Sequence, residues 1–254
     1  MECETNVLRI SPVHSQTTVT LVLENYTAIA QDHHVIGYMF DSAISLGPGV
    51  ELAFCRFDDV MTDVRFDGDL MMTSCVFGGN VRMSHSTTYG NLSLDCSRFE
   101  NDAIFNGMVC DGTVSFDHCT FVKKAGFNSC DFKGKASFRS VGFRGEADFA
   151  DATFFNKALF DRVIIDGDDT KTDYTVFADA VSFSAARFDH FANFYGTSFL
   201  KTANFNGTIF NSKTFFEGVS LSNRARYVRM SFKNTHFGIC TSISDVSIEG
   251  EFIF

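Results

Sequence analysis

Large apolar residues, most of them phenylalanine, recur alternately five and six residues apart, so the chain keeps an 11-residue period through most of its length. Phe105, Phe116, Phe127, Phe138, Phe149 and Phe160 form one series. Phe99, Phe121, Phe132, Phe143 and Phe154 form the other, with Cys110 in the slot between Phe99 and Phe121. Upstream the slots hold Phe66, Met72, Phe77, Met83 and Leu94; downstream they run from Phe183 through Phe216, Leu221 and Tyr227 to Phe232. On this reading the spacing breaks once. Twelve residues separate Ile165 from Phe177, which predicts one inserted residue within 166–176. After Phe232 the pattern loosens through Phe237, Ile243, Ile248 and Phe254.

Two residues before each large position stands a small or modest apolar one, such as Ala125, Ala136 and Ala147, or Cys75, Cys119, Cys130, Thr197 and Thr208. Side chains two apart on extended backbone share a face, so each unit sends a small and a large residue into one interior and a polar residue outward. Glycine often follows the large residue by two, as at Gly107, Gly134 and Gly207, and marks a turn. A helix does not fit, because steps of five and six scatter the phenylalanines around a 3.6-residue turn. A fixed short period predicts stacked repeats, here a parallel β-solenoid with coils of about 22 residues, two 11-residue periods.

At these residues the chain resembles the pentapeptide-repeat family, whose units carry a small residue, a polar residue, then Leu or Phe and a turn. The stretches 145–154 and 192–199 read like its Phe-rich branch, and the resemblance covers about residues 50–254. It implies an all-β, right-handed, four-sided parallel β-helix. The alternation of five with six departs from the family's even spacing and predicts a widened corner on alternate sides. Residues 50–254 would make roughly nine coils, a rod on the order of 45 Å at ~4.8 Å per coil. Residues 1–49 are expected to cap the first coil, with a strand at 17–23 followed by a His33-His34 loop.

The formal charge is −10. Residues 161–179 concentrate Asp161, Asp166, Asp168, Asp169, Asp173 and Asp179, a candidate partner-binding acidic patch lying where the spacing slips. Arg224, Arg226, Arg229 and Lys233 form a basic stretch. An acidic total argues against direct nucleic-acid binding. No apolar run reaches membrane-spanning length, and Met-Glu-Cys-Glu has none of the features of a signal peptide, so the expectation is a cytoplasmic protein with all eight cysteines as free thiols.

No histidine pairs with Cys or carboxylate at metal-ligand spacing, so no metal or cofactor is expected. No phosphate loop, nucleophile elbow or acid–base pair occurs, so no catalytic residue is assigned. The leading expectation is a non-enzymatic rod for protein–protein contact or scaffolding, with a partner the sequence does not identify. A second is an acidic DNA mimic that binds a type II topoisomerase such as gyrase, as some members of the resembled family do. A third is a β-helix carbohydrate-active enzyme, which would need long loops that are nearly absent here. The chain ends on apolar residues, and Phe237, Ile243, Ile248, Phe252 and Phe254 form a candidate end for homodimerisation through the last coil.

Overall fold

The computed structural model describes residues 68–162, 174–221, 228–238 and 241–245, together with the strands before residue 68 and after 246, of which all but Ile253 are described as backbone alone. The described chain contains no helix. Short strands make four sheets, which hold twelve, ten, nine and nine strands, and the chain visits the four in turn. We call them faces I to IV in the order of Leu70–Thr73, Val76–Phe77, Val81–Arg82 and Thr87–Thr88.

Each strand pairs in parallel with the strand 22 residues on, as Phe99 with Phe121, Ala103 with Ala125, Cys110 with Phe132 and Val114 with Ala136. The fold is thus a four-sided β-solenoid with 22-residue coils. The same interval already pairs Val35 with Phe57. At the N-terminus Val7–Pro12 and Val19–Val22 add an antiparallel pair to face II. The loop expected at His33-His34 is instead strand His33–Val35, antiparallel to Ser11 and Pro12 and parallel to Arg56–Phe57. Polar residues concealed it, but His34 stands one coil length before Arg56.

The core is a set of ring columns, one per face. On face I Phe116, Phe138, Phe160, Phe194 and Phe216 stack with centroids 4.9–5.2 Å apart. On face III Phe105, Phe127, Phe149, Phe183, Phe205 and Phe232 stack at 4.8–5.1 Å. Faces I and III oppose one another, and their rings interlock edge to face: Phe138 meets Phe127 at 80° and Phe149 at 87°. Such pairs add to the large burial term of each ring.

The alternation of five and six has a structural cause. Strands begin at Leu70, Val76, Val81, Thr87 and Leu92, so the corners from I to II and from III to IV take the extra residue. That residue adopts a left-handed conformation: Ser74, Cys96, His118 and Ser140 at one corner, His85, Gly107, Ser129, Asp151 and Ala185 at the other, with φ of 55–68°. The widened corner on alternate sides is therefore present, and each is one left-handed residue wide.

The single one-residue slip is not. Phe121 pairs with Phe143 across 22 residues, but Phe143 pairs with Phe177 across 34. The insertion is twelve residues, placed at the I–II corner between Phe160 and Val176. It nearly equals one 11-residue period, so Ile165 lands on a slot by coincidence and hides all but one residue. A second insertion follows. Ser182 pairs with Asn204 across 22 residues, and Asn204 with Ser231 across 27. Five residues are added at the II–III corner between Leu221 and Val228, and Phe232, not Tyr227, takes the slot after Leu221. Five is also the natural step of the clock, which is why the spacing showed no break.

Candidate interaction surfaces

The surface is built from columns, because residues one coil apart stand above one another on the same face. At the end of the face I strands one column runs Asp95, Asp117, Arg139 and, after a further coil, Asp161. Ser115 Oγ donates to Asp95 Oδ1 (2.5 Å) and Ser137 Oγ to Asp117 Oδ1 (2.6 Å). The Arg139 guanidinium grips Asp117 Oδ2 through Nε (3.1 Å) and Nη2 (2.7 Å). Asn193 Nδ2 donates to Asp161 Oδ2 (2.9 Å), and Ser242 Oγ to Glu217 Oε1 (2.5 Å). Each acceptor carboxylate thus binds the outward residue of the next coil. This polar ladder was legible as a 22-residue spacing of acids but was not sought.

Elsewhere opposite charges also stack one coil apart. Lys133 Nζ lies 2.7 Å from Asp111, and Lys201 Nζ lies 2.7 Å from Asp179. Because Lys201 donates to it, Asp179 is held below the usual carboxylate range. Asp161 is the reverse. Burial pushes its carboxyl up to about 6 against the pull of a backbone N–H and of Arg139, and its Oδ1 is buried without a hydrogen-bond partner.

Of the predicted acidic patch, Asp161 closes the face I ladder and Asp179 lies beyond the face II strand, paired with Lys201. The structure does not bring these two together. Asp166, Asp168, Asp169 and Asp173 lie outside the described residues. Of the predicted dimer end, Phe237 is partly buried, stacked at 5.5 Å on Phe210, and Ile243 is 43% exposed. Ile248 and Phe252 lie in the last strands, Ser247–Ile248 and Gly250–Ile253, and Phe254 is outside the described residues.

Cys75, Cys96, Cys110, Cys119 and Cys130 are free thiols, and all but Cys96 are buried. Burial pushes the Cys110 thiol up to about 12 and raises Cys119 and Cys130 as well, so these groups are protonated core atoms. His118 is exposed and neighbouring Cys119 buried, as alternation requires. Among the described residues, no group of three His, Cys, Asp or Glu could hold a metal ion. One shallow depression of about 390 Å³ on face III is lined by Lys124, Glu146, Asp148, Ser182, Thr202 and Asn204. It holds neither a histidine nor a thiol. No described helix is long and apolar enough to cross a membrane.

Residues 73–120 match the family model described as pentapeptide repeats (9 copies). No curated protein and no solved structure matches the chain.

Proposed function

This chain is a pentapeptide-repeat protein, and we propose that it works as a non-enzymatic rod, a scaffold for contacts with a protein partner. One observation carries the reading. In the described coils the side chains with chemical potential are already engaged in the solenoid itself: carboxylates in the inter-coil ladder, buried thiols in the core, and lysines with aspartates along the axis. What remains is a set of flat faces with coil-spaced side chains, which suits recognition of another macromolecule. Free buried thiols fit a reducing compartment, so the location that goes with this reading is the cytoplasm.

Affinity capture with the intact chain, followed by cross-link mapping, tests the reading. A partner cross-linked to surface positions of the coils supports it. A turnover of any polysaccharide or small substrate by the purified chain would replace it with an enzymatic one.

The runner-up is the acidic DNA mimic directed at a type II topoisomerase, which the charge of −10 favours. Against it, cations interrupt the acidic columns: Arg139 separates Asp117 from Asp161, and Lys133 follows Asp111. Gyrase supercoiling in excess protein separates the two, since a mimic inhibits it and a scaffold leaves it unchanged. The exposed Ile243 beside the last strands supports end-to-end homodimerisation. Light scattering at micromolar concentration is expected to give twice the chain mass, and a monomer would refute it.

A further inference from the structure

At the tight corner between faces IV and I, Lys157, Phe191 and Lys213 stand one above another in successive coils. Ala158 N–H donates to the Phe191 carbonyl (2.9 Å), and Ala192 N–H donates to the Lys213 carbonyl (3.1 Å), which fixes this order. Phe215 points outward on face I, in the row of Leu159 and Asn193. Its ring meets Phe191 edge-on at 5.3 Å, and Lys213 Nζ lies 4.4 Å from its centroid. On the face IV side Phe155 is 45% exposed. Leu159, Phe191 and Phe215 are half-buried, and both lysines are exposed. Neither lysine forms an ion pair with a described residue, whereas Lys133, Arg139 and Lys201 all do.

Outward rings are at odds with a solenoid whose outer positions are mostly small or polar. Grouped aromatic surface held against water marks a contact site. Lysines set between rings in a chain of net charge −10 specify the sign of what meets them.

We propose that this corner docks an extended acidic segment of a partner protein, with apolar side chains on Phe155, Leu159, Phe191 and Phe215 and carboxylates on Lys157 and Lys213. The proposal rests on the reading of the rod as a protein-binding scaffold and names the face and the partner chemistry. Lys157 and Lys213 are two coils apart, about 10 Å at ~4.8 Å per coil. An extended segment spans that distance with acids three residues apart at ~3.1–3.3 Å per residue.

The test is fluorescence anisotropy on the full chain. The probe is a fluorescein-labelled peptide of repeating Glu-Leu-Glu-Phe units; a Gln-for-Glu version and a labelled oligothymidylate are the competitors. Saturable binding of the acidic probe is expected, weaker at high salt and lost with Gln. K157E/K213E, both at exposed positions, should weaken it about tenfold or more, or ~1.4 kcal/mol or more, and F191S/F215S should do the same. Unchanged circular dichroism and melting of K157E/K213E keep the result interpretable if F191S/F215S proves unstable. Absent binding, equal binding by K157E/K213E, or preference for oligothymidylate overturns the proposal. So does self-association through this corner, seen as a mass change that K157E/K213E abolishes. If K157E/K213E captures the same cross-linked partners as the parent chain, this corner is wrong while the scaffold reading stands.

Discussion

A carbonyl at each wide corner needs a donor from inside the rod, and this explains which small residues are polar. Ser97 Oγ donates to the Met72 carbonyl (3.0 Å), Cys119 Sγ to Leu94 (3.0 Å) and Cys130 Sγ to Phe105 (3.1 Å). Thr197 Oγ1 donates to Phe160 (2.9 Å) and Thr208 Oγ1 to Phe183 (2.7 Å). In each case the acceptor is the large residue before the wide corner in the preceding coil. The slots after tight corners have no such duty and hold Val114, Ala125, Ala136 and Ala203. Thr208→Val, which keeps the shape and removes the donor, should cost about 1–3 kcal/mol in urea unfolding, the penalty for an unmet buried carbonyl. Cys119→Ser retains a donor and should cost less than Thr208→Val. Glycines divide in the same way. A Cβ at Gly207 meets only ordinary contacts, so Gly207→Ala should cost about 1–2 kcal/mol from its φ of 68° alone. A Cβ at Gly112 would lie 2.4 Å from the Gly90 carbonyl oxygen, so Gly112→Ala should cost more than Gly207→Ala in the same assay.

At the scale of the element, the short strands were legible because buried and exposed positions alternate in them without exception at the large slots. Phe116, Phe127, Phe138 and Phe149 are all fully buried. The corners were legible as spacing but not as conformation, because Ser, His, Cys, Asp and Ala all take the left-handed residue and share no composition signal. The Asp95–Asp117–Asp161 ladder was passed over because hydrophobic periodicity says nothing of outward columns. Its one raised group gives a pH prediction. The folded-state value of Asp161, about 6, lies above its ordinary 3.8, so the fold binds this proton more tightly than the unfolded chain. The stability it contributes is fully present below about 3.8 and is lost as pH rises through 6. The charged groups around it are Arg139 and Arg162, which oppose the shift, and Asp117, which favours it. Asp161→Asn, neutral at every pH, should unfold at a higher temperature than the parent near pH 8 and lose that advantage near pH 4. Melting curves at the two pH values check this, and a parallel offset at both would reject it.

Across the whole molecule, stacking makes the rod tolerant of additions at corners and intolerant of changes in phase. The twelve-residue insertion leaves the ring columns unbroken on both sides, with Phe143 on Phe177 at 4.7 Å and Phe160 on Phe194 at 4.9 Å. Its neck is tied by Thr175, whose Oγ1 donates to the carbonyls of Phe138 (2.6 Å) and Asp161 (3.0 Å). Arg162 lies 5.2 Å over the Tyr174 ring beside it. Removing residues 163–174 would join Arg162 to Thr175, restore the five-residue step from Phe160 to Phe177, and put Arg162 at the left-handed corner position held by Ser140 one coil earlier. The left-handed conformation costs roughly 1–2 kcal/mol, and the shorter closed loop returns a comparable amount. The deletion should therefore fold with a stability within about 2 kcal/mol of the parent. Deleting one residue alone, as the one-residue reading of the spacing would have it, should also be tolerated, since it merely shortens a twelve-residue loop. Deleting one residue inside an uninterrupted coil, such as Ser115, should not, because it turns every later side chain out of its column. Urea unfolding of the three deletions separates the cases: two near the parent and one severely destabilised establish the insertion as an appendage on an intact rod. Loss of the fold on removing 163–174 would show instead that the segment belongs to the stack.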